Sequence, residues 1–216
     1  MICPLLIFHG FAQNSKDLSN WQDYIQKKYG IQSYSIEVLF GTISSIAENP
    51  NRYLRALTHN INKLAHKLNI YCFDILSYSQ GGFWMKLFSQ QNTNITVRNL
   101  FTVASPINGL KAANYSHLTI KTFQKFIQND FFYKILKNNA IPSAYWNTRN
   151  DTLLSKFKNM KINAAKIISI FSKTDNVVPF YQQSTKLNSK HKIIALQGLN
   201  HKDFVVETKQ LDCLFQ

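Results

Sequence analysis

Short apolar runs alternate with stretches of helical periodicity from one end of the chain to the other. The runs fall at 2–8, 33–38, 71–76, 97–103, 166–171 and 192–196. Most are continuously apolar, as strands covered on both faces are, so they predict a mainly parallel sheet flanked by helices. The clearest helix spans 51–68, where Leu54, Leu57, Ile61, Leu64 and Leu68 recur at three- and four-residue steps and draw one apolar stripe. His59 and His66 of that helix are read as solvated. A second helix begins at Gln80 and carries Phe83, Trp84, Leu87 and Phe88 toward the sheet, and a third, over 17–29, turns Leu18, Trp21 and Ile25 inward. No linker, repeat or low-complexity tract interrupts the alternation, which predicts a single domain over 1–216.

Residues 108–160 depart from this rhythm. They hold no obvious strand and are crowded with aromatics, among them Phe123, Phe126, Phe131, Phe132, Tyr133, Tyr145 and Trp146. Insertions at the C-terminal edge of an α/β sheet shape the ligand site, so the segment is read as a helical, aromatic-rich cap over an apolar pocket.

The stretch LSYSQGG at 76–82 follows a strand and opens a helix. Around Ser79 it reads small-x-Ser-x-Gly, the context of a nucleophile elbow, in which a serine is held in a strained turn and the residues two before and two after it must be small. Ser77 stands where glycine is usual and Gly81 fits the pattern. A serine hydroxyl needs a base, and the base needs an orienting carboxylate. In α/β-hydrolases these follow in the order Ser, acid, His. Of the histidines after Ser79, His117 lies in the cap segment and His191 at the wrong end of the last strand, which leaves His201 in the loop GLNH. Asp175 in SKTDNVVP, just past the strand 166–171, is the acid by the same topology, whereas Asp151 and Asp203 are read as helix-terminus or surface charges. The oxyanion donors are assigned to the backbone N–H groups of Gln80 and of Phe11, the latter in the loop IFHGF after the first strand. His9 is read as structural. Phe123, Phe126, Phe131, Phe132, Trp146 and Phe180 are the candidate lining of an acyl groove.

Composition narrows the classes further. The chain carries a net charge of +14, but its lysines are scattered and no nucleic-acid reader motif is present, so no nucleic-acid partner is expected. Attraction to an anionic membrane surface fits the charge better. Cys3, Cys72 and Cys213 are too few and too far apart for a zinc site or a disulfide framework, and Cys3 and Cys72 are read as small buried hydrophobes. The reaction outlined requires no metal or organic cofactor. Three sequons, at Asn94, Asn114 and Asn150, decide nothing in so asparagine-rich a chain. The apolar start MICPLLIF lacks a basic n-region and is read as the first strand, not a signal peptide.

These residues resemble the palmitoyl-protein thioesterases, members of the α/β-hydrolase superfamily. The likeness runs through LIFHGF, the SYSIEV strand with Glu37, SYSQGG, VASPINGL, the Tyr145-Trp146 pair in SAYWNT, the Asp175 loop and the GLNH ending. The resemblance implies an α/β-hydrolase fold and hydrolysis of the thioester joining a long-chain acyl group to cysteines of S-acylated proteins or peptides. Ser79 would be nucleophile, Asp175 the acid and His201 the base. It also implies a lysosomal or secreted setting, against a cytosolic one if Met1 is the genuine start. Two rivals stay open: a cytosolic acyl-protein thioesterase or a lipase or carboxylesterase acting on oxygen esters, and a non-catalytic hydrolase-fold protein that binds lipids or a partner.

Overall fold

In the computed structural model, residues 3–91, 94–109, 129–130, 134–135, 153–157, 160, 162–178 and 190–215 are described. Six strands, β1 (Leu5–Phe8), β2 (Ser33–Ser35), β3 (Cys72–Tyr78), β4 (Thr96–Val103), β5 (Ala164–Ser172) and β6 (His191–Leu196), form one sheet of order β2-β1-β3-β4-β5-β6. Every neighbouring pair is parallel. All loops that leave the strands therefore emerge at one edge, where an α/β sheet collects its functional residues.

The helices obey the apolar spacing. α1 (Ser19–Tyr29) buries Trp21 and Ile25 and stops where Gly30, at φ 65°, returns its N–H to Gln26 O. α2 (Pro50–Leu68) starts on Asn49, whose side chain accepts from the N–H groups of Asn51 and Arg52, with Pro50 in the first turn where its missing N–H costs nothing. Its buried face is Tyr53, Leu54, Leu57, Ile61 and Ala65, with Leu64 and Leu68 half-buried at the margin. α3 (Gln80–Gln91) runs behind the sheet and is buried over nearly its whole length. Short helices α4 (Leu153–Phe157), α5 (Asp203–Val206) and α6 (Asp212–Phe215), with a 3-10 turn at Lys209–Leu211, follow later in the chain.

The sheet separates two cores. Against one face α2 and α3 bring Leu57, Ile61, Trp84 and Phe88 onto Leu6, Phe8, Phe73 and Ile75. Against the other, α1 and the C-terminal helices bring Trp21, Ile25, Phe204 and Leu214 onto Ile7, Leu76, Phe101 and Ile170. This two-sided cover is why the strand sequences are continuously apolar.

The cysteine expectation is corrected. Cys3 and Cys72 are buried, but they are joined in a disulfide with Cα atoms 5.2 Å apart. Leu5 stands opposite Asp74 in the β1–β3 ladder, so two residues back along both parallel strands Cys3 meets Cys72. A pair 69 residues apart in sequence is adjacent in register.

One buried charge belongs to α3. Lys86 is almost fully enclosed, and its Nζ donates to Ile107 O at 3.1 Å and Asn108 Oδ1 at 3.4 Å. The ammonium thereby holds the loop leaving β4, and burial pushes its pKa down to about 8.

Candidate active site

β3 ends at Tyr78 and α3 begins at Gln80, leaving Ser79 alone in the turn. Its φ is 49°, in the left-handed region that a non-glycine residue enters only when its surroundings force it. The force is visible. Ser79 N–H donates to Val103 O at 2.9 Å, and Gly82 N–H returns to Ser79 O at 3.1 Å. A Cβ on Gly81 would lie 2.5 Å from His9 O and 2.8 Å from Phe8 O, so the position admits only glycine. Ser77 replaces the usual glycine without penalty, because its fully buried hydroxyl donates to Phe101 O at 3.0 Å.

The partners arrive from the ends of β5 and β6. His201 Nε2 stands 2.8 Å from Ser79 Oγ, and His201 Nδ1 stands 2.9 Å from Asp175 Oδ2. An ionised Asp175 can only accept, so it fixes the proton on Nδ1 and leaves Nε2 to accept from the serine hydroxyl. The other carboxylate oxygen, Oδ1, accepts from the N–H groups of Val177 and Val178 at 2.8 and 2.9 Å. Thr174 Oγ1 donates to Leu199 O at 3.0 Å and ties the two loops together. Tyr78 anchors the histidine from beneath: its ring lies 5.1 Å from the imidazole and its hydroxyl donates to His201 O at 2.8 Å. Burial, with the nearby Asp175 charge, pushes the Tyr78 pKa upward and keeps the hydroxyl a donor.

The loop after β1 closes the other side. A Cβ on Gly10 would lie 3.0 Å from Ser79 Cβ, so this glycine lets the backbone pass beside the nucleophile. Gln13 Oε1 accepts from Gly10 N–H at 2.7 Å, and the N–H of Phe11 makes no hydrogen bond among the described residues. Glu37 braces the loop from β2's side: its Oε2 accepts from Ser15 N–H at 2.8 Å and its Oε1 faces His9 Nε2 at 3.5 Å. Burial alone would raise the Glu37 pKa, but the facing His9 imidazole and the Ser15 hydrogen bonds outweigh it and hold it down at about 2. His9 itself is buried and donates from Nδ1 to Gly10 O at 3.0 Å, as its structural reading requires.

The sequence therefore named Ser79, Asp175 and His201 as three residues that the fold brings into one relay, with Phe11 and Gln80 beside it. The proposed groove residues Phe123, Phe126, Phe131, Phe132, Trp146 and Phe180 lie outside the described residues, as does most of the cap segment. A second serine–histidine pair exists: Ser169 Oγ lies 2.7 Å from His191 Nε2 and 2.6 Å from Thr102 Oγ1. It is buried inside the sheet, with His191 at the start of β6 and so at the far edge from Ser79, whereas Asp175 bonds to His201. Sequence reading missed Tyr78 and the two valine N–H groups, because contacts through backbone atoms leave no mark in residue type.

The sequence profile of palmitoyl protein thioesterase matches residues 4–183. The chain belongs to the palmitoyl protein thioesterase family. The matched segment includes Ser79 and Asp175 and ends before His201. No curated protein sequence matches the chain. Among solved structures, an extracellular α/β-hydrolase from a Paenibacillus species is similar at TM-score 0.64 and 18% identity, covering 99% of this chain and 98% of that one. A structure from work on carboxylesterases of the thaumarchaeon Nitrososphaera gargenis superposes at TM-score 0.61 with 13% identity, covering 99% and 88%. A bromoperoxidase from Bacillus anthracis does so at 0.62 with 14% identity, covering 100% and 91%. Such distant likenesses establish the α/β-hydrolase fold. Family and fold together are those of a hydrolase.

Proposed function

We propose that the protein is a serine thioesterase that hydrolyses the thioester of long-chain S-acylated proteins or peptides and releases the free fatty acid. The observation that carries this reading is the continuous relay from Asp175 through His201 to Ser79, preformed at 2.9 and 2.8 Å. In the first half-reaction Ser79 Oγ attacks the acyl carbonyl as His201 Nε2 takes its proton. The N–H groups of Phe11 and Gln80 stabilise the oxyanion, and the cysteine thiolate leaves with the proton that His201 returns. Water then gives one proton to His201 and attacks the acyl-serine; the bond to Ser79 Oγ breaks, His201 returns the proton to Oγ, and the carboxylic acid is freed. Membership of the family supports a thioester over an oxygen ester, whereas the carboxylesterase-like fold supports the oxygen ester as the second reading. The Cys3–Cys72 disulfide supports a lysosomal or secreted setting over the reducing cytosol.

Hydrolysis of a palmitoyl thioester and of the matching oxygen ester, followed for the wild type and Ser79→Ala, separates these readings. Faster turnover of the thioester that disappears in the variant is the expected result. Preference for the oxygen ester would make the protein a carboxylesterase. Equal activity in the variant would remove Ser79 from the chemistry.

A further inference from the structure

A surface turn ordinarily shows its serines to water and hides its isoleucines, and residues 39–47 do the reverse. The segment winds through one helical turn, with Ser45 N–H donating to Gly41 O at 3.0 Å and Ala47 N–H to Ile43 O at 2.9 Å. Ser44 and Ser45 are 2% and 0% exposed, while Phe40 is 74% and Ile43 69% exposed. The serines use their hydrogen bonds internally: Ser44 Oγ accepts from Phe40 N–H at 2.8 Å and Ser45 Oγ donates to Thr42 O at 2.7 Å. Ile46, also exposed, continues the three-residue step from Ile43.

The turn is held beside the nucleophile. Gln80 Nε2 donates to Ser45 O at 3.2 Å, and Asn14 Nδ2 reaches Thr42 Oγ1 at 3.5 Å from the loop that carries the exposed Phe11. Eight large apolar side chains are exposed among the described residues, and four of them, Phe11, Phe40, Ile43 and Ile46, fall on these two neighbouring loops. Single exposed apolar residues need no explanation, but a cluster on two neighbouring loops does.

Cations occupy the same edge of the sheet. Lys16 follows Phe11 on the β1 loop, Lys173 stands at the end of β5 and Lys202 adjoins His201; all three are exposed and form no salt bridge among the described residues. Of the carboxylates nearby, Glu48 pairs with Arg52, whereas Glu37, Asp17 and Asp203 accept from the N–H groups of Ser15, Asn14 and Asn200 and keep their charge, so the excess of positive charge comes from the chain as a whole. Apolar side chains able to enter the acyl boundary, flanked by free lysines, match an interfacial surface meeting anionic headgroups. The net charge of +14 adds a long-range attraction of the same sign.

We infer that the 39–47 turn, with Phe11, is a docking lip that seats the Ser79 edge on an anionic lipid bilayer, Lys16, Lys173 and Lys202 lying against the headgroups. The inference deepens the acyl-thioesterase reading, since an acyl chain on a membrane protein lies in that bilayer and has the shortest path to Ser79 from a docked edge. Vesicle binding is measured without turnover, so a failed binding test leaves the serine chemistry standing and a failed assay leaves the binding standing.

The test is co-sedimentation of the full chain with phosphatidylcholine vesicles containing none or about a third phosphatidylserine. Wild type should bind the anionic vesicles, and the double variant Phe40→Ser, Ile43→Ser should lose roughly ten-fold or more in partitioning. Lys173→Gln and Lys202→Gln should each cost about five-fold on anionic vesicles and nothing on neutral ones. The Phe40, Ile43 variant should keep wild-type kcat/KM on a water-soluble short-chain thioester while losing activity on an acyl peptide embedded in vesicles. Absence of wild-type binding, or equal binding by the double variant, would overturn the inference. So would a dimer in solution that the double variant abolishes, which would make the lip a contact between copies of the chain.

Discussion

At Ser79 a single backbone angle decides what the hydroxyl can do. A φ of 49° is tolerated because the strand before it, the helix after it and Val103 O over-determine the turn. The strain is thus held by neighbours, and the neighbour with least freedom is Gly81. In Gly81→Ala the new Cβ would meet backbone oxygens of His9 and Phe8, which cannot rotate away. Overpacking of that kind costs about 1–3 kcal/mol. A lowered thermal midpoint together with a fall in kcat is expected, because Gln80 N–H moves with the turn; unchanged kcat in a folded variant would show that the elbow can relax. Asp175→Asn tests a different property. The amide can no longer accept from Nδ1–H through the same atom in every orientation, so the imidazole loses its enforced tautomer. A loss of roughly three to four powers of ten in kcat is expected with little change in KM or stability. A loss below ten-fold would mean that Tyr78 orients the histidine without the acid.

Among the elements, legibility followed the kind of force involved. Burial writes itself into residue type, so β3, β4, β5, α2 and α3 were readable from apolar spacing, and parallel topology then placed Asp175 and His201 at Ser79's edge. β2 was read over 33–38 but pairs only through Ser33–Ser35, because Ile36 and Val38 are buried by side-chain packing beyond the ladder. The 39–47 turn escaped notice because its burial is inverted, and periodicity assumes that apolar means inside. The disulfide escaped because register between non-consecutive strands is a tertiary property, and Cys3 and Cys72 are ordinary strand residues until β1 and β3 are laid side by side. That cross-link fastens the start of β1 to the start of β3, the two strands whose ends carry the His9–Phe11 loop and Ser79. Closing a loop of 69 residues corresponds to about 4 kcal/mol of lost chain entropy in the unfolded state. Cys3→Ser should therefore lower the unfolding free energy by about 2–5 kcal/mol, and dithiothreitol should reproduce the loss in the wild type but add nothing in the variant. If reductant leaves wild-type stability unchanged, the pair contributes nothing to it.

For the molecule as a whole, several perturbed groups shape how stability responds to pH, and two of them, Glu37 and Lys86, act at opposite ends of the scale. Glu37 is held down at about 2 against a usual carboxylate value near 4.5, so its contribution is complete above the unfolded value and is lost as pH falls toward 2. Lys86 works in the other sense. Its pKa is pushed down to about 8 from 10.5, so between these values the unfolded chain binds more protons than the folded one, and stability gains with rising pH. Below pH 8 the fold bears the full cost of a buried ammonium whose partners among the described residues, Ile107 O and Asn108 Oδ1, are neutral oxygens. Lys86→Met removes that titration along with the two hydrogen bonds. The hydrogen bonds set the offset between variant and wild type, but the titration alone sets how the offset changes. Urea unfolding of both proteins at about pH 7 and pH 9 should show the wild type gaining about 1 kcal/mol on the variant over that interval. A difference that stays flat would mean that Lys86 is charged throughout and that the loop leaving β4 gives it more solvation than its burial suggests. A difference that widens in the variant's favour would reverse the sign and require a folded-state pKa above 10.5.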